Sequence, residues 1–360
     1  MTGPRHRRAR FVLGCALAVV GVGVGAGACG SEDGPVTLRL VTYDSFPTED
    51  TPLNEVLADF TAETGIEVEV VVAGDAGTMI SKAVLTAGNP EGDVLWGVDN
   101  TLLSRAIDGD VFEPYRSSEI AALDPALVAL APDDLVTPVD FGDVCINYDI
   151  EWFTEAALEP PSSLDDLLDP AYRDLLVVEN PASSSPGLAF LLATIAHAGE
   201  DGWQAYWQGL LDNGVSVVDS WTTAYYESFS GSSGAGPRPL VVSYASSPPA
   251  EVIFADPPRE DAPTAVMAES CFRQVEFAGI LRGTEHPDEA RRLIDHLVGP
   301  DFQAEVALTL FVWPARTDVD LPDEFTRYTT VPDEALTIDP RTISDRRDTW
   351  VDEWTELVLR

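Results

Sequence analysis

The sequence predicts an α/β fold that is built as two lobes. Short runs of β-branched and apolar residues alternate along the chain with helical patterns, and this alternation is typical of α/β sheets. The chain has 360 residues and shows no internal repeat. About 330 residues follow an N-terminal apolar segment, which is enough for two lobes that each bury a core.

The N-terminus has the pattern of a secretory signal. A basic stretch at 5–10 precedes an apolar run at 11–28 that is rich in glycine and alanine and ends in small residues before Cys29. This arrangement is typical of a cleaved signal peptide, and it resembles a bacterial lipobox in which Cys29 carries the lipid. The run is also long enough for a membrane-spanning helix, but its glycines and its small-residue end favour cleavage. We therefore predict a signal peptide at 1–28 and a polar tether at 29–35.

The elements after the tether alternate in a regular order. Strands are predicted at 36–43, 66–73 and 93–99. Each strand is followed by a helix, at 52–65, 78–88 and 101–110, and a turn follows at 111–115. Further strand-like runs occur at 143–148, 239–248 and 270–279, and helical patterns at 180–199 and 286–307.

The chain is strongly acidic, with a formal net charge of −40 and Lys82 as its single lysine. Removal of residues 1–28 takes away four arginines and no acids, so the charge of the mature chain becomes −44. Nucleic-acid binding and a polybasic membrane patch are excluded, because both require clustered lysine and arginine. The acidity either attracts a cationic ligand or keeps the chain soluble, and we favour the second interpretation for the net charge.

The cysteines indicate a disulfide rather than a metal site. Cys15 leaves with the signal and Cys29 is assigned to the lipid, which leaves Cys145 and Cys271 in strand-like runs. Outside the cytoplasm, an even pair of cysteines usually forms a disulfide. No HExxH or CxxC spacing is present, so neither a catalytic zinc nor another resident cofactor is expected.

Aromatic and acidic side chains stand at the ends of several predicted elements. In open α/β sheets, ligands bind beyond the carboxyl ends of the strands. Such positions in the first lobe are occupied by Tyr43, Asp44, Asp75, Asp99 and Asn100.

The second half of the chain offers a matching set of aromatic and hydroxyl side chains. Trp221 and Tyr225 share one helix face at a spacing of i, i+4, and Tyr244 and Ser247 lie where a predicted strand ends. Core packing usually explains such aromatic stripes, but the neighbouring residues here are polar. Phe311 and Trp313 follow a helix. Aromatic faces combined with acids are the groups that bind a flat organic cation.

In the stretch 180–199, serines precede a proline and then a long apolar helix. Pro186 suits the first helical position and Ser185 suits the N-cap. The segment has two interpretations: a capped helix without further function, or an anion site formed by the amides and hydroxyls of Ser183, Ser184 and Ser185.

The order of elements in 36–115 and the paired helices at 286–307 resemble the extracellular solute-binding proteins of bacterial ABC importers. The resemblance implies a type II periplasmic-binding-protein-like fold, with a ligand cleft between the lobes and two hinge crossings. The implied boundaries are 136–149 and 271–283 for the crossings, 36–140 with 277–316 for lobe 1, 141–276 for lobe 2, and 317–360 for a C-terminal helical segment packing on the lobes. If the crossings pair antiparallel, Cys145 and Cys271 come within bridging distance.

Eight short motifs extend the resemblance to the thiamine-binding proteins of such importers. They occur in register at 42–46, 97–103, 140–142, 185–188, 220–225, 243–248, 274–276 and 350–354. The resemblance implies a ligand with a charged thiazolium and a flat aminopyrimidine, either thiamine or its mono- or diphosphate. It places Tyr43 and Asp75 on one side of the ligand and Ser184, Trp221 and Tyr244 on the other, with Phe311 or Trp313 closing one side.

The same resemblance implies a non-enzymatic, monomeric, lipid-anchored receptor at the extracellular face of the membrane or in the periplasm, which hands its ligand to a permease. Three alternatives stay open. Tyr225 and Tyr226 resemble the paired tyrosines of ferric-binding relatives, and phenolates are hard ligands for iron. Polyamines or choline would satisfy the same aromatic and acidic groups. A thiamine-degrading transferase would use a cysteine nucleophile, for which Cys145 is the candidate, although no GxSxG or phosphate-binding motif is present.

Overall fold

The computed structural model describes residues 35–232, 236–257, 259–329, 332 and 335–360. The predicted signal peptide, Cys29 and nearly all of the predicted tether lie outside these residues. Within the described ranges, no helix is both long enough and apolar enough to span a membrane.

Ten strands form a mixed sheet in the described part of the chain. Their bounds are Thr37–Thr42 (β1), Glu67–Val72 (β2), Val94–Asp99 (β3), Phe112–Glu113 (β4), Thr137–Asp149 (β5), Leu176–Glu179 (β6), Ser216–Val218 (β7), Leu240–Tyr244 (β8), Thr264–Leu281 (β9) and Trp313–Pro314 (β10).

Helices alternate with the strands along the chain. The α-helices are Pro52–Thr64 (α1), Ala76–Leu85 (α2), Leu103–Asp108 (α3), Pro125–Val128 (α4), Ile150–Ala156 (α5), Ser185–Ala198 (α6), Trp203–Asp212 (α7), Pro248–Ile253 (α8), Pro287–Leu297 (α9), Pro300–Thr309 (α10), Asp323–Tyr328 (α11) and Pro340–Val358 (α12). A π-helix occupies Thr223–Ser228, and single 3₁₀ turns occur at Ile120–Ala122, Pro132–Asp134, Asp165–Leu168 and Pro170–Tyr172.

The sheet has parallel ends and an antiparallel middle. The strand order is β2-β1-β3-β9-β5-β8-β6-β7, and the short strands β4 and β10 pair with β9 and β5. We call β2, β1 and β3 the first half of the sheet and β8, β6 and β7 the second half. The long strands β5 and β9 pair antiparallel between the halves. The crossings predicted at 136–149 and 271–283 correspond to these two strands, although β9 begins earlier, at Thr264.

The local sequence explains where the early elements begin and end. The predicted helix at 52–65 is α1, which begins after Thr51, whose backbone N–H donates to Asn54 Oδ1 at 3.2 Å. It ends at Gly65, whose φ of 72° is readily adopted by glycine. Strand β3 is buried along its whole length, as its continuous apolar sequence predicts. The α/β alternation predicted for this part of the chain is confirmed.

A disulfide joins the two long central strands. Cys145 of β5 and Cys271 of β9 are fully buried and bonded to each other. The bond lies where the β5–β9 register shifts, between Val144 and Ile146. It closes a loop with a sequence separation of 126 residues, and that loop contains every strand of the second half.

The C-terminal segment contains the helices α11 and α12. Helix α12 packs on α7, where the rings of Trp354 and Trp207 meet edge to face with centroids 5.3 Å apart. The boundaries predicted for the two lobes stay a prediction.

Candidate functional site

A cavity of about 360 Å³ lies at the carboxyl ends of the parallel strands. Tyr43 follows β1 and Asp75 follows β2 on one side, while Tyr244 ends β8 on the other. Trp221, which follows β7, completes the second side. The cavity therefore has walls from both halves of the sheet, at the edge where open α/β sheets bind ligands.

Tyr43 forms part of the floor because the backbone beneath it has no side chain. Gly97 of β3 has a φ of 100°, and a Cβ placed there would lie 2.4 Å from two atoms of the Tyr43 ring. The ring thus rests directly on the β3 backbone at a bulge between Trp96 and Val98. Burial, followed by the nearby charge of Glu276, raises the pKa of Tyr43 well above its usual value, so the hydroxyl stays neutral.

Asp75 links the two sides of the cavity. It caps α2, with Oδ1 accepting from the Ala76 N–H at 2.7 Å, and its Oδ2 accepts from the Trp221 N–H at 3.2 Å. Burial raises the pKa of Asp75 to about 7, and the hydrogen bond from the Trp221 amide acts in the opposite direction. Asp75 therefore titrates near neutral pH and contacts the opposite wall of the cavity.

A second contact joins α2 to the second half of the sheet. The Gly77 N–H donates to the Ser183 carbonyl at 2.8 Å. A Cβ at Gly77 would lie only 2.5 Å from that carbonyl oxygen. The contact therefore requires glycine at this position, and together with the Asp75–Trp221 bond it closes one side of the cavity.

The aromatic wall is held by stacking and by a chain of hydroxyls. The rings of Trp221 and Tyr225 stack with centroids 5.0 Å apart and planes 16° apart. Trp221 Nε1 donates to Ser243 Oγ at 2.9 Å, and Ser243 Oγ lies 2.8 Å from Ser247 Oγ. The wall therefore presents a fixed indole whose ring nitrogen is already hydrogen-bonded. Tyr244 stands beside it, with its ring centroid 6.5 Å from that of Trp221.

The structure brings together eight of the thirteen predicted ligand residues. The cavity is lined by Tyr43, Asp44, Asp75, Trp221, Tyr225, Tyr244, Ser247 and Phe311 from that set. The strand-end reasoning therefore places most of the predicted side chains around one space.

Asp99, Asn100 and Trp313 do not line the cavity, and each has a structural role instead. Asp99 is fully buried and its Oδ1 accepts from the N–H groups of Thr101 and Leu102 at 3.0 and 2.9 Å. Asn100 bonds to the backbone of β9. Trp313 stacks on Phe141 with centroids 6.2 Å apart. Turn capping and core stacking use the same residue types as ligand binding, so the sequence alone does not separate these residues from those that line the cavity.

The serine segment also differs from the prediction. The N-cap is Ser184 rather than Ser185, and α6 begins at Ser185. The amides of Ser183 and Ser184 both donate to the Asn180 carbonyl, at 3.1 and 2.9 Å, and Ser183 Oγ donates to the Asp219 carbonyl. Neither of these two side chains lines the cavity. From this segment Ser185 and Pro186 reach the cavity.

Glu276 is an acid of the cavity lining that was not among the predicted ligand residues. It belongs to β9, lines the cavity, is 6% exposed, and its Oε2 has no hydrogen-bond partner among the described residues. Burial raises its pKa well above the usual value, and the charges of Asp140 and Asp99 raise it further. Its place in the motif at 274–276 was a signal, but an acid in the middle of a crossing strand gives no sign of which way it points.

The mouth of the cavity carries exposed aromatic side chains. Phe254 follows α8, is 70% exposed, and lies 5.6 Å from the Phe311 ring between centroids. Tyr226 is also exposed at the cavity. Among the residues that the structure describes, no group of three or more His, Cys, Asp or Glu side chains is placed to hold a metal ion.

Comparisons with known proteins agree with this geometry. A family model described as "Bacterial extracellular solute-binding protein" matches residues 89–333. The thiamine-binding periplasmic protein of Brucella suis biovar 1 (strain 1330) is 30% identical over 328 residues, covering 90% of this chain and 92% of that protein. Its counterpart from Escherichia coli (strain K12) is 28% identical over 323 residues, with coverages of 90% and 94%.

The solved structures show the same fold. A structure described as "Periplasmic thiamin binding protein" superposes with a TM-score of 0.79 at 26% identity, covering 90% of this chain and 96% of the other. Iron-bound HitA from Pseudomonas aeruginosa gives a TM-score of 0.69 at 17% identity over 89% of this chain and 99% of its own, which is a likeness of fold alone. The predicted type II periplasmic-binding-protein-like fold is confirmed.

Proposed function

The chain belongs to the bacterial extracellular solute-binding proteins, and from that premise we propose that it captures thiamine and delivers it to the permease of an ABC importer. The observation that carries the proposal is the lining of the cavity of about 360 Å³, in which the stacked Trp221 and Tyr225 occur together with Tyr43 and buried acids. Full-length relatives named as thiamine-binding support the same ligand.

The chemistry of thiamine suits these walls. Its thiazolium is flat and permanently positive, and its aminopyrimidine is a second flat ring. Each cation–π contact contributes about 0.5–2 kcal/mol, and a carboxylate about 4 Å from the cation adds about 4 kcal/mol before desolvation is deducted. Two carboxylates and two cation–π contacts at the upper end of these ranges sum to about 12 kcal/mol before desolvation is deducted, which is the free energy of nanomolar binding.

Capture by closure is part of the proposal. The two halves of the sheet, with the lobe boundaries predicted from the sequence, open and close through β5 and β9, since these long strands join them. The contacts of Asp75 with Trp221 and of Gly77 with Ser183 connect opposite sides of the cavity. We assign them to the closed form, in which a bound ligand is shielded from solvent.

Export and anchoring complete the proposal. We propose that residues 1–28 are removed, that Cys29 carries lipid, and that the receptor works as a monomer in the periplasm or on the extracellular face of the membrane. The sequence pattern supports export and the lipid, and the relatives named as periplasmic support the compartment.

The alternatives have less support. Tyr225 is buried between Trp221 and Phe229, with ring centroids at 5.0 and 5.6 Å, which is unfavourable for a phenolate that binds iron. A transferase of the thiamine-degrading kind needs a free thiol, whereas Cys145 is bonded to Cys271. Polyamines and choline contain no aromatic ring that could stack on the wall formed by Trp221 and Tyr225.

Titration calorimetry of the purified chain with thiamine and its mono- and diphosphate tests the proposal. We expect binding accompanied by a change in tryptophan fluorescence and a higher melting temperature. Trp221→Ala removes the stacked wall and should weaken binding at least tenfold, whereas Trp152→Ala, on helix α5 and away from the cavity lining, is the matched control. Absence of heat with all three compounds would refute the proposal.

A further inference from the structure

Two carboxylates lie side by side beneath the cavity. Asp140 of β5 and Glu276 of β9 are directly opposite each other in the antiparallel register, so their side chains lie on the same face of the sheet, close together. Asp140 is fully buried, and neither of its carboxylate oxygens has a hydrogen-bond partner among the described residues. Glu276 reaches from this pair into the cavity.

Two carboxyl groups on directly opposed residues of a buried site cannot both be ionised without a large cost in free energy. Burial raises the pKa of both carboxyl groups, and the charge of Asp140 raises the pKa of Glu276 further. The pair without a ligand therefore holds at least one proton near neutral pH. A buried carboxyl pair that faces a cavity and has oxygens without hydrogen-bond partners is stabilised in its ionised form when a positive group binds beside it.

The other titratable groups around Glu276 do not supply that positive charge. The groups that face it are acids and tyrosines, namely Asp99 at the end of β3, Asp75 at the start of α2, Tyr43 after β1 and Tyr244 of β8. Asp99 and Asp75 raise the pKa of Glu276, and Tyr43 lowers it by hydrogen bonding. Arg273, three residues earlier on β9, is engaged with Asp143, with Nε 2.6 Å from Oδ1.

We propose that Glu276 is the carboxylate that faces the fixed positive charge of the ligand, and that binding releases to the solvent the proton held by Glu276 and Asp140. The proposal rests on the proposed function, since it requires a cationic ligand. It makes Glu276 a specificity-determining residue, because a neutral ring of the same shape would leave the proton in place. Asp75, by contrast, has both oxygens bonded to backbone amides and serves the closure contact.

Calorimetry in two buffers with different heats of ionisation measures the proton directly. With thiamine at pH 7, we expect about one proton released per ligand bound, and an affinity that rises with pH by up to about tenfold per unit. The thiazolium nitrogen is quaternary and cannot titrate, so it is not the source of the proton. A neutral analogue with carbon in place of that nitrogen should bind more weakly and release none.

Three variants assign the proton to a residue. Glu276→Gln should bind thiamine more weakly, with no proton release and little dependence on pH. Asp140→Asn removes the charge that opposes ionisation of Glu276, so it should retain binding with much reduced proton release. Asp75→Asn tests the other buried acid of the cavity: it should weaken binding because it disturbs the contact with Trp221, but the complex that forms should still release about one proton per ligand bound, because the pair is intact.

The outcomes separate the two proposals. Thiamine binding without proton release in the unmodified protein overturns the role of the pair and leaves the proposed function intact, and this result does not depend on any variant folding. Release that persists in Glu276→Gln, or that disappears only in Asp75→Asn, also overturns it. Absence of binding by the unmodified protein counts against the proposed function, and the role of Glu276 fails with it.

Discussion

The contact between Gly77 and Ser183 yields a prediction about closure alone. In Gly77→Ala, the new Cβ would lie 2.5 Å from the Ser183 carbonyl oxygen, 2.8 Å from its carbon and 3.0 Å from the Ala182 oxygen. These are backbone atoms, so no side-chain rotation relieves the overlap. Closure would lose one backbone hydrogen bond, about 1 kcal/mol, and would meet an overlap of about 1–3 kcal/mol. The sum of about 2–4 kcal/mol corresponds to thiamine binding that is roughly 30- to 1,000-fold weaker.

The stability of the ligand-free protein distinguishes this effect from general damage. In the proposed open form the contact with Ser183 is absent, and alanine within a helix is favoured over glycine by about 0.5–1 kcal/mol. The melting temperature without thiamine should therefore be unchanged or higher. Calorimetric affinity and a thermal melt of the same sample test both statements. Thr78→Ala, at the exposed next position of α2, is the control and should bind normally. Unaltered affinity in Gly77→Ala, or a loss of affinity that is matched by a loss of ligand-free stability, would refute the reasoning.

Three further predictions concern the floor of the cavity, the disulfide and pH. Gly97→Ala should displace the Tyr43 ring, because its Cβ would lie 2.4 Å from ring atoms. We expect thiamine binding that is at least tenfold weaker by calorimetry and a loss of about 1–3 kcal/mol in the free energy of unfolding. Normal binding by this variant would contradict the prediction. The double variant Cys145→Ala, Cys271→Ala opens a loop with a separation of 126 residues. Denaturant unfolding should therefore show a free energy of unfolding that is lower by up to about 5 kcal/mol. An unchanged unfolding midpoint would show that the bond is not stabilising. Burial raises the pKa of Asp75 to about 7 in the folded protein, so this group favours the unfolded chain increasingly as pH rises from about 4 to about 7. The melting temperature of Asp75→Asn minus that of the unmodified protein should therefore increase between pH 5 and pH 8. A difference that stays constant would exclude this explanation.

Much of the fold was predictable from the sequence because buried parallel strands have continuous apolar sequences. Strand β3 is the clearest case, since all six of its residues are buried. The side chains at strand ends were predictable for a related reason. The carboxyl ends of parallel strands meet at one edge of the sheet, so the positions of Tyr43, Asp75 and Tyr244 along the chain are enough to place them around one cavity.

The remaining parts of the site depend on pairings that a single sequence does not show. Asp99 and Asn100 stand at a strand end like the true lining residues, but their short polar side chains cap the local turn and bond to β9. Glu276 is the opposite case, because in the sequence it is simply one acid within a long strand. Only its position opposite Asp140 and its burial reveal that it belongs to the site.

The helix that carries the closure contacts also carries the single lysine of the chain. Lys82 is exposed on α2, and its Nζ donates to the Ala73 carbonyl at 2.8 Å. An amine-reactive dye would therefore attach at one internal position, with the terminal amine as the sole other primary amine. An environment-sensitive fluorophore attached there would move with the helix that contacts the opposite wall. A change in its emission on addition of thiamine would follow the proposed capture in real time.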